Sequence, residues 1–133
     1  MSMSKHAIVW IDHKEARVLY VHPDTFDELK VASPNHHVHR HPKGPGAAAE
    51  HPDDAQRFFH DVSQALRDVE EILIVGPATA KLELVKHVHK HDALLVPRII
   101  GVETVDHPSD GQLVAYAKKY FLAADRLRGL SPL

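Results

Sequence analysis

The feature that most constrains this chain is an uninterrupted apolar run at residues 72–75, which ends at once in Gly76-Pro77. A strand that is apolar on both faces has to be buried on both faces, and this is typical of an interior strand in a layered α/β sheet. A proline in the first turn of a helix loses no hydrogen bond, so the helix-forming residues that follow predict a helix over about 78–90. This strand–turn–helix unit places its turn at the carboxyl end of the strand, where open α/β sheets bind ligands.

The segments before this unit predict a three-stranded antiparallel meander. Residues 7–11 and 16–21 are rich in β-forming residues and are separated by a polar turn, as in a hairpin. Residues 26–32 mix apolar and polar side chains, which predicts a third strand with one face in water. The first helix is predicted over 53–69, where the apolar residues form a single stripe of helical spacing.

The end of the chain predicts one more strand and one more helix. The strand is expected over 94–100, where Pro97 indicates a sheet edge or a bulge. Ser109 and Gln112 have the spacing of a capping box, so the last helix is predicted to begin at Ser109. The expected fold class is α/β, a three-layer α/β/α arrangement around a mixed five-stranded sheet with the element order βββ-α-β-α-β-α.

Length and composition bound the class of protein. A chain of 133 residues predicts a single domain, 1–133, with a substantial core. The net charge of −2 gives no general attraction to nucleic acid, so any such contact needs a local basic patch. The absence of cysteine excludes disulfides and thiolate metal sites. No apolar run approaches the roughly 20 residues of a membrane span, and residues 1–5 lack a secretion signal, so a cytoplasmic location without a membrane partner is expected.

Residues 33–52 stand out from the rest of the chain. They contain four prolines, two glycines and five of the thirteen histidines. So little apolar surface cannot offset the entropy cost of ordering the segment, which predicts a long flexible loop. Loops of this length in small domains are usually functional or disordered.

The histidines of this loop are candidate metal ligands. Imidazoles bind Zn²⁺, Ni²⁺ and Cu²⁺, and several could converge on one ion; the candidates are His36, His37, His39, His41 and His51. A second pair, His87 and His91, has the i, i+4 spacing that puts two rings on one helix face. The simpler interpretation is that all of these side chains are solvated. We therefore expect no resident cofactor, with zinc or nickel as adventitious ions.

The same loop contains a conditional basic patch. Arg40 and Lys43 carry permanent charge, and protonated histidines would add to it below about pH 6.5. Such a patch is suited to phosphate groups. The turn at 76–81 could also hold an anion at a helix N-terminus, although it lacks the Gly-Lys-Ser/Thr ending of a phosphate-binding loop.

Three carboxylates suggest a nuclease alternative. Asp12 ends the first strand, and Asp106 and Asp110 lie near the last helix, as in enzymes that hold two Mg²⁺ ions between acidic residues. The simpler interpretation is that Asp12 belongs to the hairpin turn and Asp110 complements the dipole of the last helix.

Several segments resemble one known class of proteins. They are Trp10-Ile-Asp-His13, Ala55-Gln-Arg-Phe-Phe59, Ile72-Leu-Ile-Val-Gly-Pro77 with Lys81, and the stretch 100–112. Together they resemble the middle domain of the class I release factors of eukaryotes and archaea and of the related rescue factor Pelota. They are most similar to a small bacterial group labelled translational machinery proteins. The resemblance spans nearly the whole chain and implies a ribonuclease-H-like sheet.

The resemblance implies a place for function but not the family's catalytic residue. In release factors the loop before the first long helix carries Gly-Gly-Gln, which promotes peptidyl-tRNA hydrolysis. Here that loop reads Lys43-Gly-Pro-Gly-Ala47, without the glutamine, so we expect a protein other than a complete release factor. The leading hypothesis is a non-catalytic, translation-associated domain that contacts the ribosome or a structured RNA through 33–52, with Arg40, Lys43 and Lys81 as contact residues.

Three alternatives stay open from the sequence. The first is a metal-binding or pH-sensing protein that uses the loop histidines. The second is the two-metal, ribonuclease-H-like nuclease. The third is an interaction module that forms a homodimer through a sheet edge or a helix.

Overall fold

The computed structural model describes residues 4–34, 52–127 and 129. The strands in these ranges are β1 (Ser4–Ile11), β2 (Glu15–Val21), β3 (Phe26–Ala32), β4 (Val69–Gly76) and β5 (Ile99–Thr104). The helices are α1 (Pro52–Ala65), α2 (Ala80–His91) and α3 (Asp110–Leu127), with a 3-10 helix at Ala93–Arg98. The predicted order βββ-α-β-α-β-α is confirmed, apart from the additional 3-10 helix.

The strands form one mixed sheet in the order β3-β2-β1-β4-β5. β1 pairs with β4, and β4 with β5, in parallel. β2 is antiparallel to both of its neighbours. β1, β3, β4 and β5 therefore point the same way, and their last residues, Ile11, Ala32, Gly76 and Thr104, lie along one side of the sheet. We call this side the carboxyl edge.

Helices cover both faces of the sheet, as predicted. One face packs against α1 and α2 through Phe58, Phe59, Val62, Ala80, Leu84 and Val88, and Leu66 just after α1 joins the same cluster. The other face packs against α3 through Leu113, Val114, Ala117 and Phe121. Neighbouring residues of β1 serve opposite faces, since Val9 belongs to the first cluster and Trp10 to the second.

The apolar run of β4 is an interior strand, as predicted. Ile72, Leu73, Ile74 and Val75 are all fully buried, because β1 and β5 flank the strand and helices cover it from above and below. The strand ends where Gly76 packs against the backbone of Ile11 on β1. A Cβ at this position would overlap the Ile11 carbonyl oxygen, so the close approach of the two strands requires glycine.

Two predicted boundaries are wrong. The expected strand over 94–100 is mostly the 3-10 helix, and β5 begins only at Ile99. Pro97 explains the difference, since it has no N–H to donate to a sheet ladder. The first helix ends at Ala65 rather than residue 69, because Val69 already pairs with Ser4 as the first residue of β4.

The predicted start of the last helix is confirmed at its capping box. The Gln112 backbone N–H donates to Ser109 Oγ at 3.2 Å, and the Ser109 N–H donates to Gln112 Oε1 at 2.9 Å. These bonds satisfy N–H groups that have no partner within a helix. Among the described helices, none combines the length and apolar character needed to cross a membrane.

Candidate functional site

The segment that carries most of the predicted contact residues is anchored at the carboxyl edge. Ser33 directly follows β3, is buried, and donates its N–H to the Lys14 carbonyl oxygen at 2.9 Å. At the other end, α1 starts at Pro52 and leads into β4 at the opposite edge, so its first turn lies toward the carboxyl edge. The intervening predicted residues lie outside the described residues; they are Arg40, Lys43, His36, His37, His39, His41 and His51.

The turn between β1 and β2 explains Asp12. Its Oδ1 accepts hydrogen bonds from the backbone N–H groups of Lys14 at 2.8 Å and Glu15 at 2.9 Å. These bonds close the hairpin turn, as in the simpler interpretation of this residue. Among the described residues, no group of three close metal-ligating side chains includes Asp12, Asp106 or Asp110. The two-metal nuclease alternative therefore gains no ligand set from the described structure.

The turn between β4 and α2 holds Lys81. The Thr79 carbonyl oxygen accepts from the N–H groups of Leu82 and Glu83 and so begins the helix. Lys81 is 7% exposed, and its Nζ donates to the Ala78 carbonyl oxygen. In this position the ammonium group satisfies a carbonyl oxygen of the turn, and an RNA contact would require it to leave that position. The predicted contact of Lys81 with RNA stays a prediction.

A third connection, between β5 and α3, is held against the sheet by Trp10 and Arg17. Trp10 Nε1 donates to the Asp106 carbonyl oxygen at 2.7 Å, and the Arg17 guanidinium lies 4.8 Å from the centre of the Trp10 ring. Arg17 also donates from NH2 to the Pro108 carbonyl oxygen at 3.0 Å. These contacts fix the connection beside an open surface cavity of ≈490 Å³. Three turns held by hydrogen bonds, β1–β2, β4–α2 and β5–α3, therefore lie at the carboxyl edge, the side of the sheet where residues 35–51 connect β3 to α1.

Two groups of potential metal ligands occur among the described residues. One is His6, Glu71 and Asp125. His6 Nε2 lies 3.0 Å from Glu71 Oε1, and the His6 ring stacks on the Phe121 ring with 4.3 Å between their centres. His6 therefore helps to pack α3 onto the sheet.

The other group is His60, His87 and Asp92, between α1 and the end of α2. The predicted pairing of His87 with His91 on one helix face is confirmed, since their ring centres lie 4.6 Å apart. Sequence reasoning missed His60 and Asp92. The His87–His91 pair lies on the face of α2 that carries this group, but helical spacing does not indicate that α1 packs beside it.

Comparisons with known proteins place the fold. No protein-family model matches the chain, and no curated protein matches its sequence. The structure is similar to Archaeoglobus fulgidus Pelota, with a TM-score of 0.65 and 13% identity over 94% of this chain and 33% of that one. It is also similar to Saccharomyces cerevisiae Dom34, described as a translation termination-like factor, with a TM-score of 0.58 and 14% identity over 94% of this chain and 35% of that one.

A third similar structure is the archaeal translation termination factor aRF1, with a TM-score of 0.51 and 14% identity over 93% of this chain and 39% of that one. The chain thus spans only 33–39% of the length of these proteins. At such low identity the likeness establishes the fold alone. The resemblance to the release factor and Pelota class predicted from the sequence is confirmed at that level: this chain has the fold of one domain of these factors.

Proposed function

We propose that this domain is a translation-associated protein that contacts the ribosome or another structured RNA through residues 33–52, and that it does so without catalysis. The first support is the fold, because the structural similarity to Pelota, Dom34 and aRF1 extends over nearly all of this chain. Two of these are described as translation termination or termination-like factors. A shared fold raises the expectation of a related partner and does not by itself supply an activity.

The observation that carries the proposal is the position of the basic segment. The segment begins at Ser33, whose backbone is hydrogen-bonded to the β1–β2 turn. It ends at the first turn of α1. Both anchors lie toward the carboxyl edge, where α/β sheets present their binding loops. Arg40, Lys43 and the five histidines therefore belong to a segment tethered at both ends to a rigid scaffold, which limits the entropy lost when it binds.

Charge explains why this segment, rather than the whole domain, would meet RNA. The net charge is −2, so the protein as a whole is not attracted to a polyanion. Arg40 and Lys43 are the permanent cations of residues 35–51, and no acidic residue precedes Glu50 in that segment. Each phosphate they neutralise releases a counterion, which makes such binding strongly dependent on salt.

The non-catalytic part of the proposal rests on what replaces the family's reactive groups. The segment reads Lys43-Gly-Pro-Gly-Ala47 and has no glutamine to position a water molecule. At the carboxyl edge, Asp12 is engaged by its own turn and Asp110 by Arg17. Binding is therefore the function that these residues support best.

Co-sedimentation with purified ribosomes at several salt concentrations tests the proposal. We expect the Arg40→Ala/Lys43→Ala double variant to bind more weakly at each concentration between about 50 and 200 mM salt. The slope of log affinity against log salt should fall by about 1.5, because roughly 0.7–0.9 is lost for each phosphate contact. A variant that lacks residues 35–50 should lose binding altogether.

The matched control is Lys5→Ala/Lys119→Ala, which removes the same charge from exposed positions outside the carboxyl edge. It should leave the affinity and the salt slope close to those of the parent protein. If both double variants weaken binding equally, the contact is general electrostatics and the segment has no special role. Binding that survives deletion of 35–50 would also contradict the proposal.

A further inference from the structure

The imidazole of His87 is held in the form that can bind a metal ion. Its side chain is only 5% exposed, and Nδ1 lies 3.0 Å from Gln56 Oε1 on α1. A carboxamide oxygen only accepts hydrogen bonds, so Nδ1 carries the proton and donates it. Nε2 is then left with a lone pair. This outer hydrogen bond is the arrangement that fixes the tautomer and orientation of metal-binding histidines.

The lone pair of His87 faces a second unsatisfied acceptor. Nε2 lies 3.9 Å from Asp92 Oδ2, and both atoms are buried without a hydrogen-bond partner. Two buried acceptors that face each other are costly unless something positive lies between them. The distance is too long for a direct hydrogen bond and leaves room for an intervening ion.

An imidazole binds a metal ion through its unprotonated nitrogen, which here is Nε2. A water molecule that donates to both atoms is the competing occupant, and the experiment below distinguishes it from an ion.

His60 supplies a third ligand from the neighbouring helix. One ligand atom from each of His60, His87 and Asp92 lies within 4.8 Å of the others. Bond lengths of about 2.0–2.2 Å around a tetrahedral zinc ion place ligand atoms roughly 3.4 Å apart, so the cluster has to contract by up to about 1.4 Å. His60 is exposed, and rotation of its side chain is the simplest way to make that movement.

The surroundings leave an open side to the cluster. A surface cavity of ≈600 Å³ is lined by Gln56, Arg57, His60, His87, Lys90 and His91. Arg57 and Lys90 are exposed. Their long side chains can place their positive charges in water, where screening weakens the repulsion of a bound cation. A bound ion would therefore keep a coordination position open to water or to an exchangeable ligand.

We propose that His60, His87 and Asp92 form a binding site for one divalent transition-metal ion, of which Zn²⁺ is the best match. Two imidazoles and one carboxylate are a ligand set that zinc accepts, and the remaining position stays open. The site joins α1 to the end of α2 with Gln56 as its outer support. It is distinct from the loop histidines and does not depend on the proposed contact with RNA.

Calorimetric titration of the chelator-treated full chain with Zn²⁺ tests this site. The loop histidines are a competing source of binding, so a background variant should carry glutamine at all five of them. In the glutamine background we expect one ion per chain with micromolar or tighter affinity. His60→Ala and Asp92→Asn should each weaken that binding at least tenfold. Thermal unfolding should show the same pattern, with a zinc-dependent rise in Tm that both variants lose, because the ion binds the folded state.

His89→Ala is the matched control, since His89 is an exposed histidine of α2, the helix that carries His87, and lies outside the cluster. It should leave the affinity unchanged. His60 is also exposed, so His60→Ala is expected to fold, and its Tm without zinc checks this. Zinc binding that persists in His60→Ala and Asp92→Asn but disappears in the loop background would place the ion on the loop and overturn the proposal. The absence of binding tighter than millimolar in the parent chain would assign the space to water and overturn it as well.

Discussion

Arg17 on β2 and Asp110 at the start of α3 form an ion pair of 2.6 Å between NH1 and Oδ1. The guanidinium also lies over the Trp10 ring and donates to the Pro108 carbonyl oxygen. One side chain thus joins β1, β2, the β5–α3 connection and α3. The carboxylate that the nuclease alternative would assign to Mg²⁺ is used here to hold the fold together.

Replacement of Arg17 by alanine should destabilise the domain by about 2 kcal/mol, because hydrogen bonds between charged groups are lost and Asp110 is left partly buried. Arg17→Lys should recover little of this, since an ammonium group cannot make the two donations and the stacking contact together. Urea unfolding measures both values. If Arg17→Lys is as stable as the parent protein, the planar geometry of arginine is unimportant here.

Gly76 should tolerate no side chain. A Cβ there would overlap the Ile11 carbonyl oxygen, which belongs to the backbone of a central strand and cannot move freely. We expect Gly76→Ala to cost about 1–3 kcal/mol, the usual range for overpacking. Chemical denaturation gives the value.

Gly111 is the matched control for this prediction. It lies in the first turn of α3, and a Cβ added there meets nothing within 4 Å. Gly111→Ala should be neutral or stabilise the domain by up to about 1 kcal/mol, because alanine loses less conformational entropy in a helix. Equal effects at the two positions would contradict the close approach of β1 and β4.

The three tyrosines should titrate late in the folded protein. Burial raises the pKa of Tyr20, Tyr116 and Tyr120 above the ordinary value of 10.0. The negative charge of Asp68 raises the pKa of Tyr20 further, and that of Glu103 raises the pKa of Tyr116 and Tyr120 further. A raised folded-state pKa means that the folded protein holds the proton longer than the unfolded chain. The associated stability is fully present below pH 10.0 and is lost as pH rises through the folded-state pKa values.

Ultraviolet absorbance of the phenolate measures this directly. The midpoint in the native protein should lie above the midpoint in denaturant, and Tyr20→Phe should remove part of the high-pH loss of stability. Tyr20 is the informative position because its hydroxyl donates to the Ala65 carbonyl oxygen at 2.7 Å. Coincident native and denatured titration curves would show that the phenols are solvated.

The capping box offers a test at the start of α3. Ser109→Ala removes the oxygen that accepts from the Gln112 N–H, and such losses usually cost about 1 kcal/mol. Ser109→Asp should retain most of the stability, since aspartate is also a good cap and suits the helix dipole. Thermal melts of the two variants should therefore differ by several degrees, and identical melts would show that the cap contributes nothing.

The parts of the fold that could be predicted are those with a local physical cause. The buried run 72–75 indicated an interior strand, and the Ser109–Gln112 spacing located a helix start to within one residue. Both depend only on neighbouring residues in sequence. The 3-10 helix at Ala93–Arg98 was missed because its apolar residues are also typical of a strand, and only the missing N–H of Pro97 separates the two outcomes.

In the candidate metal site, too, only the contact with a local cause could be predicted from the sequence. Sequence spacing brought His87 and His91 together, since both lie on one helix. His60 joins them only because α1 and α2 pack on the same face of the sheet, and Asp92 only because the chain turns where α2 ends. Contacts of this kind come from tertiary packing and leave no periodic signal in the chain.

Site-specific cross-linking tests the proposed contact between residues 33–52 and RNA. The chain has no cysteine, so Arg40→Cys can carry a single photo-reactive group, with Lys119→Cys as its control outside the carboxyl edge. The proposal predicts cross-links to ribosomal RNA from position 40 and few or none from position 119. Equal cross-linking from both positions, or ribosome binding without any cross-link from position 40, would contradict it.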